Sequence, residues 1–254
     1  MIWFITWTGF YDYPNMEKKI IKTKFWHAEI LVWKIEWKDT AILCRHWENH
    51  ELLPNHINFR ANMTALKSIW VSSIISFSVA WVVNWDLDLN KWAIIDDLYT
   101  PDNRLPNWEI CTIFNQPWEK GRWHLIAERF FNSKMNEDIK DILWYNVVEN
   151  ATYVYSIWPR FNSKAEIKSF KNVWWDYVSQ TCWPEAILAG ELELPYAQFV
   201  YWVDYANWVK NKATPLEELW KNIENSTEIF KKVLRWLLKK DNKYHFEWFV
   251  YRFN

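Results

Sequence analysis

Several polar side chains that could bind an anion stand at the ends of apolar runs in this sequence. They are Arg45 and His46 after the run 41–44, Ser78 near the end of the run 74–79, and Thr8 after the run 2–6. Arginine offers charged N–H donors and a hydroxyl group offers a neutral donor, so together they can hold an anion. Taken singly, each residue has an ordinary explanation, as part of a solvated turn or as a strand-end hydroxyl.

The elements that would position these side chains alternate between strands and helices. Short apolar runs bounded by turn residues predict strands at 2–6, 30–35, 41–44, 74–79, 93–95, 152–157 and 197–203. Helical periodicity predicts helices at 58–69, 136–143, 164–170, 184–192 and 215–240. This alternation predicts the α/β class, with a central mixed, twisted β-sheet flanked by helices. The sequence has no repeat or linker that divides it, so we predict one domain over residues 1–254.

Composition narrows the classes of function. The chain has 30 basic and 31 acidic residues, a balance that does not favour a nucleic-acid or anionic-membrane partner. Its three cysteines, Cys44, Cys111 and Cys182, form neither a disulfide framework nor a Cys-x-x-Cys pair. The apolar stretch 69–83 is too short and too rich in serine for a membrane-spanning helix, and the N-terminus lacks a basic leader. We therefore predict a cytoplasmic protein without a metal site.

Tryptophan stands where glycine is expected. The chain has 23 tryptophans and 3 glycines, whereas about 7% of residues in an average protein are glycine. Trp47, Trp85, Trp108 and Trp158 occur in turn contexts that favour glycine, such as Asn-Trp-Asp and Asn-Trp-Glu. We hypothesise that the gene uses UGA as a glycine codon and was translated with UGA read as tryptophan. The alternative is a genuine tryptophan-rich protein, such as a carbohydrate-binding module.

With glycine in place of tryptophan, a series of segments resembles the methylthioadenosine phosphorylase and purine nucleoside phosphorylase family. The matching segments cover nearly the whole chain in the family's order: 2–9, 45–50, 58–67, 78–81, 158–166, 180–186 and 203–207. A glycine loop after a strand is weak alone, since many phosphate binders use one. The ordered series is far more specific, and it implies a phosphorylase/hydrolase-like fold.

The resemblance also implies the reaction, which is phosphorolysis of a purine nucleoside by a pentosyltransferase. Inorganic phosphate would be a co-substrate, and no cofactor would be needed. The positions that match the family's phosphate contacts are Thr8, Arg45, His46, Ser78 and Thr181. Among these, Arg45 is expected to contribute most to phosphate binding because it is charged.

The resemblance assigns the base to a second set of residues. Asp204 matches the carboxylate that hydrogen-bonds purine N7 and stabilises the departing base, although an aspartate there could simply cap a turn. Phe161 and Asn162 would line the base pocket, and Gln180 would lie near the ribose, where the family usually has methionine. Phe161 could equally belong to the core.

One departure from the family bears on specificity. Adenine-preferring members carry a second aspartate two positions after the first, but Ala206 stands there in this chain. Losing that acceptor should relax the preference for adenine over hypoxanthine. Methylthioadenosine is the first expectation, with methylthioinosine, inosine or guanosine as alternatives.

The family's trimeric assembly suggests a role for His124, which resembles a histidine that reaches the 5′ end of the nucleoside in a neighbouring subunit. A surface or interface histidine is the plainer explanation. A homotrimer is therefore expected from resemblance alone. A nucleosidase that uses water remains an alternative, but it would not need Arg45 with a set of hydroxyls.

Overall fold

The structure is a computed structural model that describes most of the chain. The described residues are 2–6, 16–35, 38–84, 86–89, 91–126, 129–144, 147–156, 160–172, 176–212, 214–240 and 242–253. Thr8, which the sequence predicts in the phosphate site, lies outside them, as do Trp85 and Trp158.

Eleven strands and five α-helices make up the described fold. The strands are β1 (Ile2–Thr6), β2 (Glu17–Thr23), β3 (Trp26–Ile35), β4 (Lys38–Cys44), β5 (Ser73–Val82), β6 (Trp92–Tyr99), β7 (Trp123–Ile126), β8 (Val147–Tyr155), β9 (Tyr177–Ser179), β10 (Tyr196–Tyr205) and β11 (Phe249–Arg252). The helices are α1 (Phe59–Ser68), α2 (Ser133–Leu143), α3 (Lys164–Asn172), α4 (Trp183–Glu191) and α5 (Leu216–Lys240), with short 3₁₀ helices at Glu48–His50 and Pro54–His56.

Nine of the strands form one mixed sheet, which confirms the predicted α/β class. The strand order is β10-β6-β8-β9-β5-β1-β4-β3-β2. In addition, β10 pairs in parallel with β5 and antiparallel with β6, so β5, β9, β8, β6 and β10 form a closed ring of pairings. The ring brings the C-terminal ends of β5 and β10 together, and a bulge shifts the register there between Trp202 and Asp204. Such bulges re-aim side chains next to functional sites.

Helices cover both faces of the sheet. One buried cluster takes residues from α1 and α4, and a second takes residues from α2 and α5. In α5, Phe230, Val233, Leu234 and Leu237 are buried at helical spacing, which explains how the amphipathic pattern found in the sequence docks this helix. No helix in the described part of the chain is long and apolar enough to cross a bilayer.

Tryptophan dominates the residues with unusual backbone angles. Among the described non-glycine residues, eleven have positive φ, and six of these are tryptophan: Trp26, Trp47, Trp70, Trp108, Trp144 and Trp208. Positive φ is strained for a bulky L-residue and free of that strain for glycine. The strain falls on the residue type that the composition already marked as anomalous.

Trp70 shows this backbone strain at the end of a helix. It follows the C-cap of α1 with φ 62°, its N–H donates to Lys67 O, and the N–H of Val71 donates to Leu66 O. These two bonds are those of a Schellman motif, in which glycine is the usual residue at this position. Its indole is 89% exposed and therefore offsets little of the strain by burial.

Other tryptophans are buried without a polar partner. The indole N–H groups of Trp3, Trp92, Trp183 and Trp202 have no hydrogen-bond acceptor among the described residues. Buried tryptophans usually find one, because an unpaired donor carries a desolvation cost. Both groups of tryptophans are consistent with glycine as the native residue at many of these positions.

Candidate active site

Arg45 lies at the centre of a buried polar cluster where β4 ends. Its side chain is fully buried, and its Nε and Nη2 donate to the two carboxylate oxygens of Glu185 at 2.7 and 2.9 Å. Nη2 also donates to Ser76 Oγ at 2.7 Å, and Nη1 donates to Phe77 O at 2.8 Å. Burial opposes the charged form, but the Glu185 carboxylate raises the pKa of Arg45 above its ordinary value. The guanidinium is therefore a fixed cation paired with an internal anion.

His46 is held next to Arg45 as a neutral ring. Its Nδ1 lies 2.7 Å from Leu52 O, and since a carbonyl only accepts, Nδ1 carries the proton. Burial lowers the pKa of His46 to about 3, an effect that the bond to Leu52 only partly offsets. The ring also stacks on His50, with centroids 4.4 Å apart. At neutral pH, Nε2 is thus an acceptor.

Two of the predicted phosphate hydroxyls lie near one thiol. The Sγ atom of Cys182 lies 3.4 Å from Thr181 Oγ1 and is also near Ser78, whose hydroxyl donates to Val79 O at 3.1 Å. Burial raises the pKa of the Cys182 thiol, so the sulfur stays protonated. The N–H groups of Thr181 and Cys182 both donate to Tyr153 Oη at 3.2 Å, which fixes the turn before α4. The structure thus brings Ser78 and Thr181 together beside Arg45.

A small cavity near this cluster is lined by Phe161, Asn162, Gln180 and Ala206, which were predicted for the substrate, but not by Asp204. Its other lining residues are Trp81, Ile167, Val178, Ser179 and Asn207. The remaining space is about 10 Å³, the room of a single water molecule. Phe161, Asn162, Gln180 and Ala206 are therefore neighbours around one cavity, as the resemblance implies.

Trp81 forms part of the wall of this pocket. Trp81 lies near the end of β5, where the family pattern has glycine, and its ring centroid is 5.7 Å from that of Phe161. It packs against the small apolar cluster of Val83, Ile167, Val178 and Ala206. An indole is a fused bicycle of about the size of a purine, so a wall that contains it leaves less space than one with glycine there.

Asp204 lies at the end of β10, opposite Trp81 in the sheet register. Its Oδ1 accepts from the N–H of Tyr205 at 2.7 Å and from Thr214 Oγ1 at 2.5 Å. These contacts are those of an aspartate that caps a turn, which is the alternative that the sequence left open. The base-binding role of Asp204 stays a prediction. Ala206 follows two residues later, is buried, and donates its N–H to Val82 O.

His124 lies apart from the cluster, on the two-stranded sheet formed by β7 and β11. It is exposed, and its ring meets Phe253 edge-on at 5.3 Å. It lines an open surface depression with Phe114, Gln116 and Arg122, so within one chain it does not contact the base pocket. Among the described residues, no three histidine, cysteine, aspartate or glutamate side chains are placed to hold a metal ion.

Sequence reasoning did not assign a role to Glu185 or Cys182, although both lie in a segment that matches the family. A signal for Glu185 was available, because a buried arginine requires a buried acid, and Glu185 is an acidic residue in the apolar helix α4. No sequence signal links Cys182 to Ser78, since their contact depends on how β5 and the turn before α4 meet.

The sequence matches the phosphorylase superfamily over residues 7–239. An S-methyl-5'-thioadenosine phosphorylase from Saccharolobus solfataricus is 31% identical, over 92% of this chain and 87% of the relative. A 6-oxopurine nucleoside phosphorylase from Pyrococcus furiosus is 27% identical, over 89% of this chain and 88% of the relative.

Solved structures share the fold. A methylthioadenosine phosphorylase from an antarctic soil metagenomic library superposes with a TM-score of 0.81 at 23% identity, over 96% of this chain and 88% of the other. A methylthioadenosine phosphorylase from Schistosoma mansoni in complex with tubercidin has a TM-score of 0.82 at 19% identity, over 95% and 92% of the two chains.

Proposed function

Since the chain belongs to the phosphorylase superfamily, we propose that it catalyses the reversible phosphorolysis of a purine nucleoside. The first candidate substrate is S-methyl-5'-thioadenosine, which would yield adenine and 5-methylthioribose 1-phosphate. The second is a 6-oxopurine nucleoside such as methylthioinosine, inosine or guanosine. Relatives named for each activity match most of the chain. The enzyme is thus a pentosyltransferase of purine salvage.

One observation carries this proposal: residues 178–185 run directly from the base pocket to the Arg45 cluster. Val178, Ser179 and Gln180 line the base pocket, whereas Thr181, Cys182 and Glu185 belong to the Arg45 cluster. A nucleoside whose base lies in the pocket would therefore present its ribose near the anion-binding groups. This arrangement supports attack by an anion on the carbon that bears the base.

The chemistry requires a nucleophile and a stabilised leaving group. Phosphate attacks C1′ as the bond to N9 breaks, through an oxocarbenium-like transition state similar to that of glycoside cleavage. Arg45, Ser78 and Thr181 would donate hydrogen bonds to the phosphate, and His46 Nε2 would accept one from its protonated oxygen. No metal is required, because phosphate is itself the nucleophile.

Asp204 would stabilise the base as it leaves. In a protonated or proton-sharing form it would hydrogen-bond purine N7, using Oδ2, the oxygen that is not engaged by Tyr205 and Thr214. Removing a group that stabilises developing charge typically lowers kcat by about 10²–10³. The two bonds to Oδ1 would orient the carboxyl for this role.

The active form would carry glycine at several of the tryptophan positions. Trp81 lines the base pocket, and Trp47, directly after His46, has φ 61° and ψ 175°, a region essentially restricted to glycine. Glycine at position 47 would relieve the backbone, and glycine at position 81 would enlarge the pocket. Sequencing the gene tests this, because UGG codons at positions 47 and 81 would refute it.

A homotrimer in the cytoplasm completes the proposal. The exposed position of His124, away from its own chain's base pocket, supports a role in a neighbouring subunit's site. Sedimentation of the purified protein would test the trimer.

The decisive experiment is an assay of base release from methylthioadenosine and methylthioinosine, with and without phosphate. The protein should carry glycine at every UGA-encoded position. Release that requires phosphate and yields the sugar 1-phosphate is the expected result. Release without phosphate would indicate a nucleosidase, and no release from a folded protein would refute the proposal.

A further inference from the structure

Glu185 is a buried charged group to which the reaction assigns no part. It lies in α4, is 2% exposed, and contacts Arg45 after β4, Ser76 on β5 and Tyr196 on β10. Its Oε1 accepts from Arg45 Nε, and its Oε2 accepts from Arg45 Nη2, Ser76 Oγ and Tyr196 Oη at 2.9, 2.8 and 3.1 Å. The carboxylate is therefore fully coordinated by donors.

This coordination determines what Arg45 can offer a ligand. A guanidinium has five N–H groups. In Arg45 one on Nε and two on Nη2 are directed to Glu185 and Ser76, and one on Nη1 is directed to Phe77 O. The Nε–Nη2 edge of the guanidinium, which could bind phosphate through two hydrogen bonds, is thus occupied by Glu185. Of the five N–H groups, one on Nη1 has no partner among the described contacts.

We propose that Glu185 is a positioning residue of the phosphate site, which holds the Arg45 guanidinium in one orientation so that Nη1 serves the incoming phosphate. The proposal rests on the phosphorylase function inferred above and extends it to a residue that does not contact the substrate. Without the carboxylate, the guanidinium would lose two of its four described hydrogen bonds and its fixed plane. Preorganised donors bind an anion better than mobile ones because no reorganisation is needed.

Two features distinguish this role from simple core packing. Ser76 Oγ accepts from Arg45 and donates to Glu185, so the three side chains form a closed hydrogen-bonded unit on β4's end, β5 and α4. In addition, Thr181 and Cys182 directly precede the helix that carries Glu185. A shift of Glu185 would therefore be transmitted to the hydroxyls that are predicted to share the phosphate.

The test is the affinity for inorganic phosphate, measured by titration calorimetry on the chain with glycine at UGA-encoded positions. In Glu185→Gln, which keeps the shape but not the charge, we expect phosphate affinity to fall about tenfold or more, as for other groups that orient a ligand-binding side chain. The KM for the nucleoside should stay unchanged, since Glu185 does not line the base pocket.

Glu191→Gln is the matched control. Glu191 lies on the same helix and is partly buried, and its carboxylate accepts from the N–H of Ile113, away from Arg45. Its substitution should leave phosphate affinity unchanged. A merely structural effect of losing a buried carboxylate would instead appear in both variants.

Tyr196→Phe provides a second variant if Glu185→Gln does not fold. It removes the hydroxyl that donates to Glu185 Oε2 at 3.1 Å and to Cys182 O at 3.5 Å, and it removes no hydrogen bond to Arg45, so it should weaken phosphate binding by a smaller factor. The proposal would be overturned if a folded Glu185→Gln protein bound phosphate as tightly as the parent or more tightly. If only Tyr196→Phe folds, the same result in that variant would overturn it. A parent protein that binds no phosphate would also overturn it. A parent that binds phosphate but releases no base would instead refute the proposed function and leave this measurement intact.

Discussion

The indole of Trp81 meets the phenyl ring of Phe161 edge-on, with ring centroids 5.7 Å apart and planes at 72°. Phe161 is the aromatic residue that the family resemblance assigns to the base. The contact therefore places a bicyclic side chain of the protein itself at the wall of the pocket proposed for a purine.

Trp81→Gly should open the base pocket. Removing the indole leaves a space that a purine can fill, so adenine should bind at least about tenfold more tightly than to the tryptophan-bearing chain, a difference of about 1.4 kcal/mol. Titration calorimetry with adenine measures this. Trp144→Gly is the control, because Trp144 is exposed, has φ 49° and does not line the pocket. Equal binding by both variants would contradict the placement of the base.

Trp70→Gly should stabilise the chain. The substitution relieves positive φ at the end of α1, which for a non-glycine residue costs about 1–2 kcal/mol, and it sacrifices little burial. The free energy of unfolding in urea should rise by about 1 kcal/mol.

Trp220→Gly is the matched comparison for Trp70→Gly. Trp220 is also exposed but lies inside α5 and is not among the positive-φ residues. Glycine there should destabilise the chain by about 0.5 kcal/mol, because glycine is a poorer helix former than tryptophan. If both substitutions changed the free energy of unfolding in the same direction, the backbone angle φ would not decide where tryptophan is tolerated.

Ala206→Asp should shift base choice toward adenine. Ala206 lines the pocket, and a carboxylate there could accept a hydrogen bond from a 6-amino group but would face the oxygen of a 6-oxopurine. The ratio of kcat/KM for methylthioadenosine to that for methylthioinosine should rise about tenfold or more. Ala206→Asn is the control, since an amide can pair with either group and should change the ratio less. If Ala206→Asp did not change this kcat/KM ratio, the 6-position of the purine would have to lie away from residue 206.

Acid should destabilise the fold through His46. Its folded-state pKa of about 3 lies below the ordinary value of 6.5, so the unfolded chain binds a proton first as the pH falls. The stabilisation is present above pH 6.5 and is lost as the pH falls toward 3. From pH 7.5 to pH 5, His46 should therefore lower the free energy of unfolding by about 2 kcal/mol.

His46→Asn should remove that part of the pH dependence. Asparagine can still donate an N–H toward Leu52 O, but it does not titrate. Urea unfolding at pH 7.5 and pH 5 should therefore show a smaller loss for the variant than for the parent. Equal losses in both proteins would mean that His46 is accessible to protons in the folded state.

Much of the fold was predictable because periodicity is local. All seven predicted strands coincide with observed ones, although the strand predicted at 152–157 begins at Val147, and the five predicted helices are present within a few residues of their predicted ends. Four strands were not predicted. β2 is mostly exposed, and β7, β9 and β11 have only four, three and four residues. A short or exposed strand exists because of its pairing partner, which no local pattern encodes.

For this protein, the sequence by itself determined the family and the α/β class, because these depend on the order of residue types along the chain, and it predicted the site residues. It also marked the excess of tryptophan. Only the tertiary structure paired Arg45 with Glu185, 140 residues away, and put Trp81 beside Phe161 at the wall of the proposed base pocket. Those contacts follow from the pairing of β10 with β5 and from the docking of α4, which are decided by burial and register over the whole molecule.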